Sequence, residues 1–125
     1  MPFYITKGDR RPLFVVNLVD DYNEPSESAV NLTTAGSANF SMRGPMVGGV
    51  AAGTVINRLA GSITNAVQGE FTYPWSASDT TTAGTFQADT KVYWNDGKPE
   101  TFPNSKVSGD DGTKFWTIII EDGMG

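Results

Sequence analysis

Short runs of apolar and β-branched residues, each followed by turn-forming residues, limit most strongly what this chain can fold into. Thr, Val, Ile, Phe, Tyr and Trp fit a pleated strand, whereas the Gly, Pro, Asn, Asp and Ser residues between the runs favour turns. The sequence contains no coiled-coil heptad, no internal repeat and no linker that would separate a second domain. The pattern therefore predicts an all-β sandwich or barrel of about seven or eight short strands.

Alternation of apolar and polar side chains locates the individual strands. We expect strands at residues 3–6, 13–19, 38–43, 85–94 and 114–121, and a short edge strand at 30–32. The sequence Asn95-Asp96-Gly97 predicts a hairpin, because these residue types tolerate positive φ. The side chains expected to form the core are Phe14, Val16, Leu18, Ala38, Phe40, Met42, Phe71, Tyr73, Trp75, Phe86, Ala88, Thr90, Val92, Trp94 and Trp116.

Residues 54–67 have a pattern that fits two structures. Apolar side chains recur at every fourth position, which is a helical spacing. Gly61 interrupts the run, however, and Val, Ile and Thr are weak helix formers. Two short strands, at residues 54–59 and 62–66, therefore fit better than a helix, which remains the alternative.

Two residue types are absent, and their absence excludes most catalytic and metal chemistry. Without cysteine the chain has no disulfide, no thiolate nucleophile and no Cys-bound zinc. Without histidine it has no Ser-His-Asp triad, no imidazole base and no His-bound metal. We therefore expect that the protein is not an enzyme and has no cofactor and no metal site.

Length and charge narrow the domain organisation and the partners. A chain of 125 residues is expected to form a single domain, residues 1–125, with short terminal arms at 1–9 and 121–125. The formal net charge of −5 argues against a phosphate-binding surface, so nucleic acid is not an expected partner. No apolar run approaches the ~20 residues that span a bilayer, and Met1-Pro2-Phe3 does not begin a secretory signal, so no membrane partner is expected.

Clustered carboxylates are the remaining candidates for chemistry. Asp20, Asp21 and Glu24 could bind calcium through oxygen ligands, as could Asp110 and Asp111, but their spacing lacks the alternation of a calcium loop. Two further pairs could act as general acid and base if each pair shared a cleft: Asp79 with Asp89, and Glu70 with Glu100. A small sandwich rarely has such a cleft, so we interpret these residues as ordinary turn and surface positions.

An ordered series of short motifs covers most of the chain. The series consists of Gly8-Asp9 with Pro12, Val30-Asn31-Leu32-Thr33, Phe40-Ser41-Met42-Arg43, Tyr73-Pro74-Trp75, Gly84-Thr85-Phe86, Asp96-Gly97, Glu100-Thr101-Phe102-Pro103-Asn104 and a last strand ending in Glu121-Asp122. In this order the motifs resemble the immunoglobulin-like N-terminal domain of phage baseplate upper proteins. Residues 44–53 are the least similar stretch.

The resemblance implies an immunoglobulin-like antiparallel β-sandwich that serves as a structural or attachment protein of a tailed-phage virion. Its partners would be other virion proteins and copies of itself in a symmetric assembly, and the protein would be made in the host cytoplasm and reside in the virion. In the family this domain usually precedes a longer receptor-binding or spacer region. Because we expect a stand-alone domain here, its position could be the tail, baseplate, neck or capsid decoration.

The same resemblance bears on the corner before the 85–94 strand. Many immunoglobulin-like domains place a tyrosine at this corner, and its hydroxyl bonds back to the backbone. Here Phe86 occupies the position, so it is expected to act by packing alone. Asp79 is expected to cap the corner locally.

The terminal arms and the 44–53 loop are the parts expected to contact partners. The predicted interaction residues, in these parts and in the turns near them, are Phe3, Tyr4, Lys7, Arg10, Arg11, Tyr22, Met46, Val47 and Met124. The Lys7, Arg10 and Arg11 cluster either meets an acidic partner or forms a solvated turn. The alternative function is a carbohydrate-binding adhesion module, in which exposed aromatics such as Tyr22 would stack on a host-surface glycan, whereas Tyr73 and Tyr93 are expected to pack within the domain.

Overall fold

The computed structural model describes residues 2–20, 27–48, 50–51, 55–58, 61–76, 78–103 and 115–123. All of the regular secondary structure among these residues is β-strand. The strands are β1 Phe3–Thr6, β2 Phe14–Asn17, β3 Val19–Asp20, β4 Ser28–Ala29, β5 Ala35–Arg43, β6 Met46–Val47, β7 Val50–Ala51, β8 Val55–Arg58, β9 Ser62–Asn65, β10 Glu70–Tyr73, β11 Gly84–Trp94, β12 Pro99–Phe102 and β13 Trp116–Glu121. The predicted all-β class is confirmed, although the described residues form thirteen strands, several of them only two residues long, where seven or eight were predicted.

Two sheets contain most of the strands. The larger sheet has the order β1-β13-β11-β5-β8. Its sixth strand, β12, also pairs with β11, beyond the part of β11 that pairs with β13. Its first strand, β1, runs parallel to β13, whereas the other pairs are antiparallel. The smaller sheet has the order β2-β10-β9 and is antiparallel throughout.

Aromatic side chains fill the space between the two sheets. Phe40 of β5 stacks on Tyr73 of β10 with ring centroids 4.2 Å apart. Phe14 of β2 lies 5.6 Å from Phe40 and 5.4 Å from Trp116 of β13. Because these contacts join strands of different sheets, the molecule is a β-sandwich with one core between its layers.

The predicted inward faces are confirmed almost throughout. All of the predicted core residues are buried except Val16 and Trp94, which are partly buried and pack against the core. Phe86 is buried, as expected of a residue that acts by packing. The Asn95-Asp96-Gly97 hairpin also forms, since Gly97 has φ +84° and β11 pairs with β12 across the turn.

The 54–67 segment forms two strands, β8 and β9, so the preferred reading is confirmed and the helix is excluded. The two strands belong to different sheets, because β8 pairs with β5 whereas β9 pairs with β10. The predicted edge strand at 30–32 is wrong. Val30 and Leu32 are buried there without strand structure, and their N–H groups bond to Leu18 and Ala66.

The corner that precedes β11 is held by one carboxylate. The Tyr73 hydroxyl donates to Oδ2 of Asp79 at 2.6 Å, and the backbone N–H of Ser76 donates to the same oxygen at 2.8 Å. The expected local cap by Asp79 is therefore present. The tyrosine that bonds at this corner is Tyr73 of β10. It lies one strand before β11, which carries Phe86.

Removing this carboxylate should destabilise the domain. Asp79→Ala is expected to lower the free energy of unfolding by about 2–3 kcal/mol, because both a buried hydroxyl and a backbone N–H lose a charged acceptor. Tyr73→Phe is the matched variant, and it should lose less because it removes one of the two bonds. Urea denaturation measures both changes, and equal losses in the two variants would contradict the account.

Candidate functional site

One end of the sandwich, where β11 begins, gathers three segments that are far apart in the sequence. We call it the hairpin end and define it as residues 7–13, the β6–β7 hairpin and residues 121–123. The backbone N–H of Lys7 donates to the carbonyl of Glu121 at 2.7 Å, and that of Gly8 donates to the carbonyl of Thr80 at 2.9 Å. The Thr80 hydroxyl donates to the carbonyl of Asp9 at 2.8 Å. These bonds fix the turn after β1 against the β10–β11 connection.

The β6–β7 hairpin projects from this end on a tightly fitted base. Met46 pairs with Ala51 and Val47 with Val50, so the ladder is two residue pairs long. At the base, a Cβ added to Gly44 would come within 2.6 Å of the Phe86 ring. A Cβ added to Gly84 would come equally close, 2.6 Å, to the Pro45 side chain. This contact of backbone with the core holds the base of the hairpin in place.

The tip of the hairpin is apolar and exposed. Residues 44–57 contain no charged side chain, although 18% of the chain is charged. Val47 is 68% exposed, which is the largest exposure among the large hydrophobic residues described, and Met46 is partly exposed. Contiguous exposed apolar side chains mark binding sites, so Val47 with its partly exposed neighbour Met46 is the candidate contact of this hairpin.

A short apolar strip, formed by Tyr4 and Ile119, lies on the outer face of the larger sheet near this end. Thr85 of β11 lies opposite Ile119 of β13, which lies opposite Tyr4 of β1. Tyr4 is 51% exposed and Ile119 is half-buried on the outer face. A Cβ added to Gly44 would lie 3.1 Å from the carbonyl oxygen of Thr85, so the base of the hairpin adjoins the row that holds Ile119 and Tyr4.

The structure brings most of the predicted interaction residues to this end. Lys7, Arg10 and Arg11 are exposed in the turn after β1, and the Lys7 Nζ lies 3.3 Å from Oδ1 of Asp122. Phe3 is partly buried instead, with its ring 5.2 Å from Phe14 and 6.0 Å from Trp75. Phe3 therefore packs with the core aromatic residues and is not an exposed contact residue for a partner. Tyr22 and Met124 lie outside the described residues.

Ile119 was not among the predicted contact residues. It stands on the outer face of a strand whose other face carries Trp116, Ile118 and Ile120, all buried. Ile119 is an apolar residue at a position of the alternating strand where a polar residue would be expected, and this could have indicated it. Its significance depends on Tyr4, which is adjacent to it only because β1 pairs with β13.

The described tyrosines do not form a platform for stacking on a sugar. Tyr73 is fully buried, and Tyr93 is half-buried on the outer face of β11, opposite Ser37. Tyr4 lies in the row of Thr85, eight residues from Tyr93 along β11, which corresponds to about 26 Å. That separation is too large for one sugar ring to touch both aromatics.

The carboxylate pairs considered as acid and base lie in different surroundings. Asp79 is buried in the corner, whereas Asp89 points to the outer face of β11 between the inward residues Ala88 and Thr90. Glu70 accepts a hydrogen bond from Thr64 in the smaller sheet, and Glu100 accepts one from Trp94 in the larger sheet. Among the calcium candidates, Asp20 alone lies within the described residues, and those residues contain no group of three possible metal ligands.

The carboxyl group of Asp89, on the outer face of β11, is partly buried. Burial raises the pKa of its carboxyl above the ordinary value, although the positive charges of Lys91 and Arg43 lower it. Because the folded state favours the protonated form, the contribution of Asp89 to stability is fully present below the unfolded pKa and is lost as the pH rises through the folded pKa.

The variant Asp89→Asn should therefore be more stable than the wild type at neutral pH. The amide mimics the protonated acid and avoids the desolvation of a carboxylate. The difference should shrink as the pH falls through the raised pKa. Urea denaturation over a pH series measures this, with Glu121→Gln as an exposed control expected to change stability by less than about 0.5 kcal/mol. A stability gain at Asp89 that is the same at every pH would contradict the assignment.

Comparison with protein-family models, curated proteins and solved structures finds no match to this chain. In the part of the chain that the structure describes, no helix is long and apolar enough to cross a membrane. The fold and the geometry thus define an all-β sandwich that carries an exposed apolar strip and hairpin at one end.

Proposed function

We propose that this protein is a structural attachment protein of a tailed-phage virion and that it acts by docking on other virion proteins through the hairpin end. The observation that carries the proposal is the exposed, uncharged β6–β7 hairpin on a closely fitted base. An apolar group that is already held in its binding geometry loses little conformational freedom on docking. The protein would reside in the virion, at the tail, baseplate, neck or capsid decoration.

The strand order supports the immunoglobulin-like part of this proposal. In that fold the strands are divided between a sheet containing B, E and D and a sheet containing C, F and G. Here β2-β10-β9 correspond to the first set, and β5, β11 and β13 correspond to the second. We propose that β8 corresponds to the additional C′ strand next to β5.

The charges at the hairpin end suggest how a partner is oriented. Arg10 and Arg11 are exposed in the same turn that carries Lys7. Rim charges of this kind contribute to the association rate and to orientation more than to affinity. The hairpin end also carries Asp9, Glu121 and Asp122, so its formal charges balance, and an apolar pocket with charges of both signs around it is the partner chemistry that fits best.

Changing the tip of the hairpin tests the docking surface. Burial of a valine side chain contributes about 1.5–3 kcal/mol, so Val47→Asp should weaken docking by about tenfold to a hundredfold. Incorporation is measured by quantifying the protein in purified particles after complementation of a phage that lacks the gene.

Val67→Asp is the matched control, because Val67 is 66% exposed but lies after β9, outside the hairpin end. We expect Val67→Asp to be incorporated like the wild type and Val47→Asp to be depleted. Equal incorporation of the two variants, with circular dichroism showing that both are folded, would show that the hairpin is not part of the docking surface.

A further inference from the structure

Two polar side-chain atoms lie in the core of the sandwich without a hydrogen-bond partner among the described residues. They are the hydroxyl oxygen of Thr90, on β11, and the indole nitrogen of Trp116, the first residue of β13. Thr90 is fully buried and Trp116 is 4% exposed. Buried polar groups of native proteins bond either to the protein or to ordered water, because an unpaired group keeps the full cost of its desolvation. Both atoms therefore need a partner that the described residues do not supply.

Comparable groups elsewhere in the domain are satisfied by the protein itself. The indole N–H groups of Trp75 and Trp94 donate to protein oxygens at 3.1 and 3.2 Å. The other fully buried threonine, Thr80, donates its hydroxyl to a backbone carbonyl at 2.8 Å. The fold thus bonds two of its three indoles and one of its two fully buried threonine hydroxyls directly, whereas Thr90 and Trp116 are left over together.

The register of the larger sheet makes these two residues neighbours. β12 and β13 pair with consecutive parts of β11, on the side away from β5. Trp116 lies opposite Ala88, and Thr90 is the next residue of β11 that points inward. Diagonal neighbours on one face of a sheet are about 7–8 Å apart, a distance that an aromatic side chain can span. The two polar atoms therefore belong to one region of the core.

The surroundings of this region are apolar on every described side. Phe102 of β12 lies directly opposite Thr90, and the ring of Phe14 from the facing sheet lies 5.4 Å from that of Trp116. Ala88, which stands between the two polar residues, has the smallest side chain among the buried residues of β11. A ligand here must therefore be small and must bond to both polar atoms.

We propose that Thr90 and Trp116 hold one buried water molecule. An indole N–H can only donate, whereas a hydroxyl can donate or accept, so the water would accept a hydrogen bond from Trp116 and form a second one with Thr90. A buried water typically makes about two to four such bonds. It would join the start of β13 to the middle of β11 through the core. This site is independent of the proposed docking function, because both atoms are buried and Val47→Asp does not touch them.

A high-resolution crystal structure of the full-length protein tests the site directly. We expect density for one ordered water within hydrogen-bonding distance of Thr90 Oγ1 and Trp116 Nε1. The same water should be lost in crystals of Thr90→Val, whose side chain has a similar shape but no hydroxyl. Absence of density between the two atoms in the wild type, or a protein atom bonded to both of them, would overturn the proposal.

The stability of Thr90→Val distinguishes a hydrated hydroxyl from an unpaired one, because the two cases predict opposite changes. If the hydroxyl holds a water, valine leaves the water and the indole N–H without a partner, and the unfolding equilibrium constant from urea denaturation should rise by about fivefold to thirtyfold. Thr85→Val is the matched control, since Thr85 is exposed on the outer face of the same strand and should change this constant by less than about threefold. A Thr90→Val variant as stable as the wild type, or more stable, would contradict the water site.

A double-mutant cycle with Trp116→Phe measures whether the two side chains share one ligand. Removing either group already disrupts a shared water, so the double variant should lose less than the product of the two single effects, by about threefold or more. Thr85→Val combined with Trp116→Phe should show no such deviation. Independent effects of Thr90→Val and Trp116→Phe, as expected if the indole N–H pointed at the Phe14 ring instead, would overturn the proposal.

Discussion

Replacing Phe14 by alanine should lower the free energy of unfolding by about 3–5 kcal/mol, a large part of the stability of a domain of this size. Phe14 belongs to β2 of the smaller sheet, and its ring contacts three aromatic rings of the larger sheet and one ring from the connection between β10 and β11. The ring centroids of Phe3, Phe40, Trp75 and Trp116 lie 5.2, 5.6, 6.5 and 5.4 Å away. The loss combines the removed apolar area with a cavity that these large rings cannot fill without moving.

Urea denaturation followed by tryptophan fluorescence measures this change, since two of the neighbouring rings are indoles. Val67→Ala is the control, because Val67 is exposed and its truncation should change stability by less than about 0.5 kcal/mol. A loss at Phe14 below about 1 kcal/mol would show that the two layers are not joined through this ring.

Replacing Gly69 by alanine should produce the second large effect. Gly69 has φ +73°, and a Cβ there would lie 2.6 Å from the Val30 carbonyl oxygen and 2.7 Å from that of Leu18. Both neighbours are backbone atoms, so neither can move without displacing its strand or loop. We expect a loss of about 3 kcal/mol or more, from left-handed backbone strain and overpacking together.

Gly8→Ala separates the two causes. Gly8 has a similar φ of +86°, but nothing lies within 4 Å of the position of its Cβ. This variant should therefore lose about 1 kcal/mol, which is the backbone strain alone. If the two variants unfolded at the same urea concentration, the close contact of Gly69 with Val30 and Leu18 would be disproved.

The alternation of side chains was sufficient to predict the strands and the core. Because each strand buries one face between the two sheets and exposes the other, its apolar residues recur at every second position. The alternation did not predict which strands are neighbours. The 54–67 segment was divided correctly into two strands, but nothing local shows that β8 and β9 belong to different sheets. Val30 and Leu32 are buried by the turn at Gly69, which the apolar spacing of 30–32 cannot distinguish from a strand.

The candidate site was predicted residue by residue but not as a surface. Tyr4, Met46 and Val47 were identified as contact residues from their position in the arm and in the 44–53 loop. Tyr4 lies beside Ile119 only because β1 pairs in parallel with β13, two strands that are far apart in the sequence.

The composition of purified particles tests the central claim most directly. Under the proposed function a phage or prophage encodes this chain, and its particles would be purified by density gradient and analysed by quantitative mass spectrometry. A structural attachment protein is expected to be present at a fixed copy number that matches the symmetry of the shell, neck or tail. Absence of the chain from infectious particles would contradict the proposed function.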